Sequence, residues 1–228
     1  VPDINDVSDQ LIQELTFYSL DLINQIRQAV GVSPLVANYS TIKFADDIAK
    51  RYVNDAYTYA QSRLDIQNGK SAAGHYDKAI SEEAGKNGLD DTYGNFYENL
   101  GWGYMEYEGQ HTETGGGELT EDGYVNVPVS NIKRAIYSSV LNMIFDDGGE
   151  PDYGHLYSLI GLSEYMAYKE FEAVNGEYKE TEPEWYNEQL ANIANDTKGH
   201  FGFSMGNVKE DDYYQTRHHF ITVTKPQV

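Results

Sequence analysis

Residues 201–205 read Phe201-Gly202-Phe203-Ser204-Met205, a large apolar side chain alternating with a small one. Period two marks a strand, because successive side chains of an extended chain point to opposite faces. A second run, Phe220-Ile221-Thr222-Val223-Thr224, alternates in the same way and is rich in β-branched residues. The polar residues 209–216 between them read as the loop of a hairpin. Upstream, the dominant period is helical. Over residues 8–30 the apolar positions Leu11, Leu15, Tyr18, Leu22 and Ile26 recur every three or four residues, with Ile12, Ile23 and Val30 beside them. Ser8 suits the N-cap, Gly31 the C-terminal cap, and Pro34 blocks continuation. A second helix is expected from Ser40, with Phe44, Ala45, Ile48, Ala49, Tyr52, Val53 and Ala56 on one face, extending towards Leu64. Gly, Asn, Ser and Asp dominate residues 67–94, which read as loop with a short helix over 77–84. Residues 99–107 read as a short strand or the start of another element, and 108–123 as an exposed loop. A third helix is expected over 131–145, capped by Ser130, with Ile132, Ile136, Val140, Met143 and Ile144 inward. The acidic, Gly-rich stretch 146–154, the apolar run 156–162 and the Glu-rich stretch 164–188 lead back to the strands. Helices followed by strands, with no repeat or dividing linker, predict one layered α+β domain over residues 1–228.

Composition narrows the function. The 228 residues carry 16 Lys+Arg against 37 Asp+Glu, a net charge of −21, and no Cys. A nucleic-acid surface needs a basic face to neutralise phosphates, which so few cations among so many acids do not make. An anionic membrane surface is disfavoured for the same reason, and no apolar run approaches the roughly 20 residues of a spanning helix. Charge of this size predicts a soluble monomer through self-repulsion. Without Cys there are no disulfides, thiol nucleophiles or thiolate metal sites. The opening Val1, with neither Met nor leader, is expected of a mature or excised piece. Twenty Tyr with many Gly, Asn and acidic residues suit a hydrated extracellular surface.

The motifs of zincins, nucleophile elbows, phosphate loops and dinucleotide folds are absent. The acidic run from Asp146 to Asp152 is acidic enough for Ca2+, although it lacks EF-hand spacing. The six His are few and unevenly placed, which makes them informative. His75 lies in Gly74-His75-Tyr76, and His155 precedes an apolar run in Gly154-His155-Leu156-Tyr157. Glu98 interrupts a burial-prone segment, Tyr97-Glu98-Asn99-Leu100-Gly101, so its carboxylate must find partners or shift its pKa upward. Two imidazoles and a carboxylate can form an open metal site completed by water. Each residue also has an ordinary reading, as a hydrogen-bonded loop His or a Glu holding backbone amides. Asp146 ends the third helix, where the macrodipole disfavours an anion unless a cation, a metal or hydrogen bonds compensate. Its alternative is to belong to the following loop. His218 and His219 precede the last strand and, being adjacent, point to opposite faces, one buried and one exposed. No chemistry is assigned to them, nor to His111 or His200.

Taken together, Leu22-Ile23-Asn24-Gln25-Ile26-Arg27, Gly31-Val32-Ser33-Pro34-Leu35, the helix with Ala45, Ala49 and Tyr52, Glu98-Asn99-Leu100, and Gly154-His155-Leu156-Tyr157 resemble the CAP superfamily. These are the cysteine-rich secretory, antigen-5 and pathogenesis-related domains. The likeness runs from Leu11 to Val223 and is nearest to the surface-exclusion-type (SCP-like) domains of Gram-positive cell-surface proteins. It implies an αβα sandwich, a central antiparallel sheet flanked by helices. It also implies a cleft tetrad of His75, Glu98, Asp146 and His155, with Zn2+ on His75 and His155. Asp146 stands where many members have Glu, the separation from His75 to Glu98 is longer than usual, and residues 164–199 read as an insertion. Two functions compete: an extracellular, cell-wall or secreted module that binds a cell-envelope or partner-cell protein, glycan or lipid, and a metal-dependent peptidase with Glu98 as general base. Lipid or sterol capture is a third reading that the resemblance allows.

Overall fold

The computed structural model describes residues 1, 3–71, 73–92, 97–107, 118–120, 123–146, 154–161, 199–211 and 213–223. Helix α1 (Asp9–Ala29) starts where the Ser8 side chain accepts a hydrogen bond from the Leu11 N–H. Its buried line, Ile12, Leu15, Thr16, Ser19, Leu20, Ile23 and Arg27, is broader than the apolar stripe alone. Leu11, Tyr18, Leu22 and Ile26 are only partly buried along its edge. The short strand β1 (Val36–Ala37) leads into α2 (Tyr39–Asn54), capped by the Asn38 side chain. The helix does not run on to Leu64. Ala56 turns into the left-handed region (φ 47°), and the Thr58 hydroxyl caps a separate helix, α3 (Tyr59–Gln67). The break lets Tyr57 turn inward and stack on Tyr76 at 4.1 Å.

Helix α4 (Asp77–Lys86) falls where the sequence puts a short helix, and of the two readings of 99–107 the strand holds, as β2 (Glu98–Tyr107). The stretch expected as an exposed loop includes β3 (Glu118–Thr120), which pairs antiparallel with β4 (Gly123–Val125). Helix α5 (Val129–Phe145) begins one residue before Ser130. Pro128 takes the N-cap with no side-chain cap bond, its fixed φ suiting a helix start. The short α6 (Gly154–Ile160) follows. The final strands, β5 (His200–Lys209) and β6 (Tyr213–Val223), are longer than their apolar runs. Polar pairs close the hairpin from inside: the Thr216 hydroxyl bonds Asn207 and the Arg217 guanidinium bonds Glu210. Residues 209–216 are therefore mostly strand. The proposed insertion, Gly199 apart, and most of the acidic stretch 146–154 lie outside the described residues.

The sheet runs β1-β5-β6-β2, antiparallel except where β1 joins β5 in parallel. Alternation sends its side chains into two cores. On one face, Phe201, Phe203, Met205 and Phe220 pack with Leu15 and Ile23 of α1, Ile132 and Ile136 of α5, and Leu159 of α6. On the other, Leu100, Val208 and Ile221 pack with Phe44, Ile48 and Tyr52 of α2 and Ile80 of α4. The small residues between the phenylalanines have a purpose on this second face. A Cβ on Gly202 would lie 2.4 Å from the Thr41 carbonyl oxygen, so only glycine lets α2 lie this close to β5. The result is an αβα sandwich.

Candidate functional site

On the α2 face of the sheet, Glu98 begins β2 two residues before Leu100, and His219 of β6 lies opposite Leu100. Glu98 and His219 are thus diagonal neighbours on one face, within reach across the antiparallel pair. His75 enters from the loop before α4, and Tyr52 descends from the buried face of α2. All four side chains are buried. The Glu98 carboxylate is engaged at both oxygens. Oε1 is 2.6 Å from His219 Nδ1, and Oε2 is 2.7 Å from both His75 Nδ1 and the Tyr52 hydroxyl. The Tyr52 hydroxyl donates to Glu98 and accepts the Tyr76 backbone N–H at 2.7 Å. The Tyr57 hydroxyl fixes the His75 loop by donating to the His75 carbonyl at 3.0 Å. Both imidazoles turn Nδ1 to Glu98, which leaves each Nε2 facing away from the carboxylate. That of His219 is buried without a partner among the described residues.

These contacts decide the electrostatics. Burial alone would raise the Glu98 pKa, but the hydrogen bonds from His219 and His75, with their charges, hold it well below the ordinary carboxylate range. The Tyr52 phenol is pushed well above its ordinary value, first by burial and then by the Glu98 charge, so it remains a donor. Beside Tyr52 lies Arg217, fully buried, its guanidinium 5.4 Å from the Tyr52 ring centre and 5.3 Å from that of Trp102. Burial lowers the pKa of Arg217, opposed by Tyr52, Glu210 and Glu98.

The structure joins His75 to Glu98, two residues the sequence singled out. Glu98 is bound by His75, His219 and Tyr52, a set that includes neither His155 nor Asp146. His155 lies in the first turn of α6, which packs towards α1 and α5 through Leu159. Asp146 is the exposed C-cap of α5. Among the described residues, no group of three or more His, Asp or Glu side chains is placed to hold one metal ion. His219 and Tyr52 were the residues that sequence reasoning left without a role. Their signal was available: His219 shares strand parity with Ile221, and Tyr52 lies on the apolar stripe of α2. His218 and His219 do point to opposite faces, but both are fully buried. His218 Nδ1 lies 2.9 Å from Ser139 Oγ of α5, and burial, then the neighbouring His219, lower its pKa to about 3. It is therefore a neutral core residue.

No protein-family model matches the chain, and no curated protein matches it in sequence. Among solved structures it is similar to the CAP domain of Enterococcal PrgA, with 25% identity and a TM-score of 0.60, over 100% of this chain and 67% of that one.

Proposed function

Since this chain folds as a CAP-like domain, we propose that it is an extracellular surface-interaction module of the surface-exclusion type, carried by a Gram-positive cell. The observation that carries this reading is the Glu98 carboxylate, buried and bound at both oxygens by His75, His219 and Tyr52. A general base needs a lone pair within reach of a substrate water. Glu98 instead ties α2, the loop before α4, β2 and β6 together, so it supports the scaffold of a binding module better than a hydrolase. The net charge of −21 keeps such a module dispersed and selects against anionic partners.

The test is saturable binding of the labelled chain to whole Gram-positive cells, beside an unrelated acidic protein of matched charge. Binding displaced by unlabelled chain is expected. Binding equal to that of the control overturns the reading, as would cleavage of a peptide library by the wild type that Glu98→Gln abolishes while still folded.

Zinc belongs to this proposal through His75 and His155. The donor chemistry of His75 suits it, because a carboxylate on Nδ1 leaves Nε2 as the nitrogen a metal takes. A bound ion would supply a Lewis acid at that edge. Calorimetric titration of zinc into the wild type and the His75→Ala/His155→Ala variant decides it. Micromolar binding lost in the variant is expected, and equal weak binding by both proteins removes the pair as ligands.

A further inference from the structure

Trp102 is 41% exposed and Tyr59 is 46% exposed, yet neither ring stands alone. Their centres are 6.4 Å apart and their planes cross at 72°, so they form an aromatic corner at the surface. Buried parts hold it in place. The Trp102 ring lies over the Arg217 guanidinium at 5.3 Å. Glu210, itself buried, binds Arg217 at 3.1 Å and accepts the Tyr59 backbone N–H at both oxygens, each 2.9 Å away. One buried ion pair therefore positions both exposed rings, Trp102 through its face and Tyr59 through its main chain. Large exposed aromatic side chains with restricted freedom are the common anchors of protein interfaces.

Charge identifies the partner. The chain carries 37 acidic against 16 basic residues. Arg217 is opposed by both Glu210 and Glu98, so no uncompensated positive charge underlies the rings. Electron-rich aromatic faces in a negative field attract a cationic side chain, and the field speeds its arrival. We propose that the Trp102/Tyr59 corner is the docking point for a basic segment of a partner protein, which places a Lys or Arg against the rings. This rests on the surface-module reading and names the partner's chemistry.

The test titrates an acetylated, amidated deca-lysine peptide into the full chain near physiological salt, with deca-serine as the neutral control. Deca-lysine is expected to bind and deca-serine not. Trp102→Leu is expected to weaken deca-lysine roughly three- to twentyfold, with Trp102→Phe in between. If Trp102→Leu fails to fold by circular dichroism, Tyr59→Leu decides, since the bond from Tyr59 to Glu210 is made by backbone and survives. No deca-lysine binding, or binding unchanged by the leucine variants, overturns the proposal and leaves only the general acidic field. Cell binding that persists while peptide binding fails removes this proposal alone. Loss of cell binding with intact peptide binding removes the module reading instead.

Discussion

Replacing Glu98 with Gln keeps the shape and removes the charge, and the structure states what must break. The carboxylate accepts from His219 Nδ1 at 2.6 Å, and from His75 Nδ1 and the Tyr52 hydroxyl at 2.7 Å. A Gln amide has one acceptor oxygen and one NH2 group. If the NH2 faces His219, that ring can no longer donate from Nδ1, and a proton on its Nε2 is buried without a partner among the described residues. If it faces His75, it meets the Tyr52 hydroxyl as well, and that phenol already accepts the Tyr76 N–H. Either orientation leaves a buried donor unmatched and weakens the remaining bonds from charge-assisted to neutral. A buried unsatisfied group costs about 1–3 kcal/mol, and breaking a buried charged pair from one side about 3–5 kcal/mol. Glu98→Gln is therefore expected to lose about 3–5 kcal/mol at pH 7, a large part of a typical folding stability of roughly 5–15 kcal/mol.

The pH dependence gives a second readout. The Glu98 pKa is depressed on folding, so its contribution is complete above the unfolded value, about 4.3, and is lost as pH falls towards the folded one. Within that window each pH unit removes up to about 1.4 kcal/mol. Asp55 and Glu83 also have lowered pKa values, since burial would raise them but hydrogen bonds from Arg51 and Tyr76 to Asp55, and from Lys86 and Arg51 to Glu83, outweigh it, so the wild-type curve alone does not isolate Glu98. The difference between wild type and Glu98→Gln does. Urea unfolding followed by circular dichroism from pH 7 to pH 2 should show that gap closing below about pH 4.5. A variant within about 1 kcal/mol of wild type at pH 7, or a gap unchanged down to pH 2, would refute the reasoning about buried pairs.

Three further outcomes follow from packing. Gly202→Ala places a Cβ 2.4 Å from the Thr41 backbone, whereas Gly206→Ala meets the Val53 side chain at 2.6 Å, which can turn aside. Gly202→Ala should lose about 3 kcal/mol or more and Gly206→Ala clearly less, both read from urea midpoints. Glu210→Leu removes the directly bonded partner of the buried Arg217, a loss of about 3–5 kcal/mol, and adding Arg217→Met should recover much of it in a double-mutant cycle. Ser8→Ala removes the cap bond to Leu11 and should lower stability by about 1 kcal/mol in the same assay, whereas no loss would mean that water replaces the cap.

Much of the fold was legible because it depends on local period. The alternation of Phe201, Phe203 and Met205 and the helical spacing from Leu11 to Ile26 each bury an apolar face whichever partner arrives. The boundaries that failed were set by partners distant in sequence. Residues 209–216 look like loop because they are polar, but Thr216 and Arg217 are satisfied by Asn207 and Glu210 across the hairpin. The helix of Tyr52 looks continuous towards Leu64, but Ala56 turns into the left-handed region and Tyr57 stacks on Tyr76, distant in sequence, instead of extending α2. The same division runs through the site. Glu98 stood out because a carboxylate in an apolar segment must be paired, and His75 because it was one of few candidates to pair it. His219 was passed over, since adjacent His in a strand differ only in which face they enter, and the sequence does not say which face holds the acid. By itself the sequence determined the α+β class, the acidic character and the need for a partner to Glu98, all consequences of composition and period. The tertiary structure alone decided that His75, His219 and Tyr52 share that carboxylate, and that a buried Arg217–Glu210 pair holds Trp102 and Tyr59 at the surface. Those contacts join residues up to 151 positions apart, as with Tyr59 and Glu210, and only the register of the sheet and the packing of α2 bring them together.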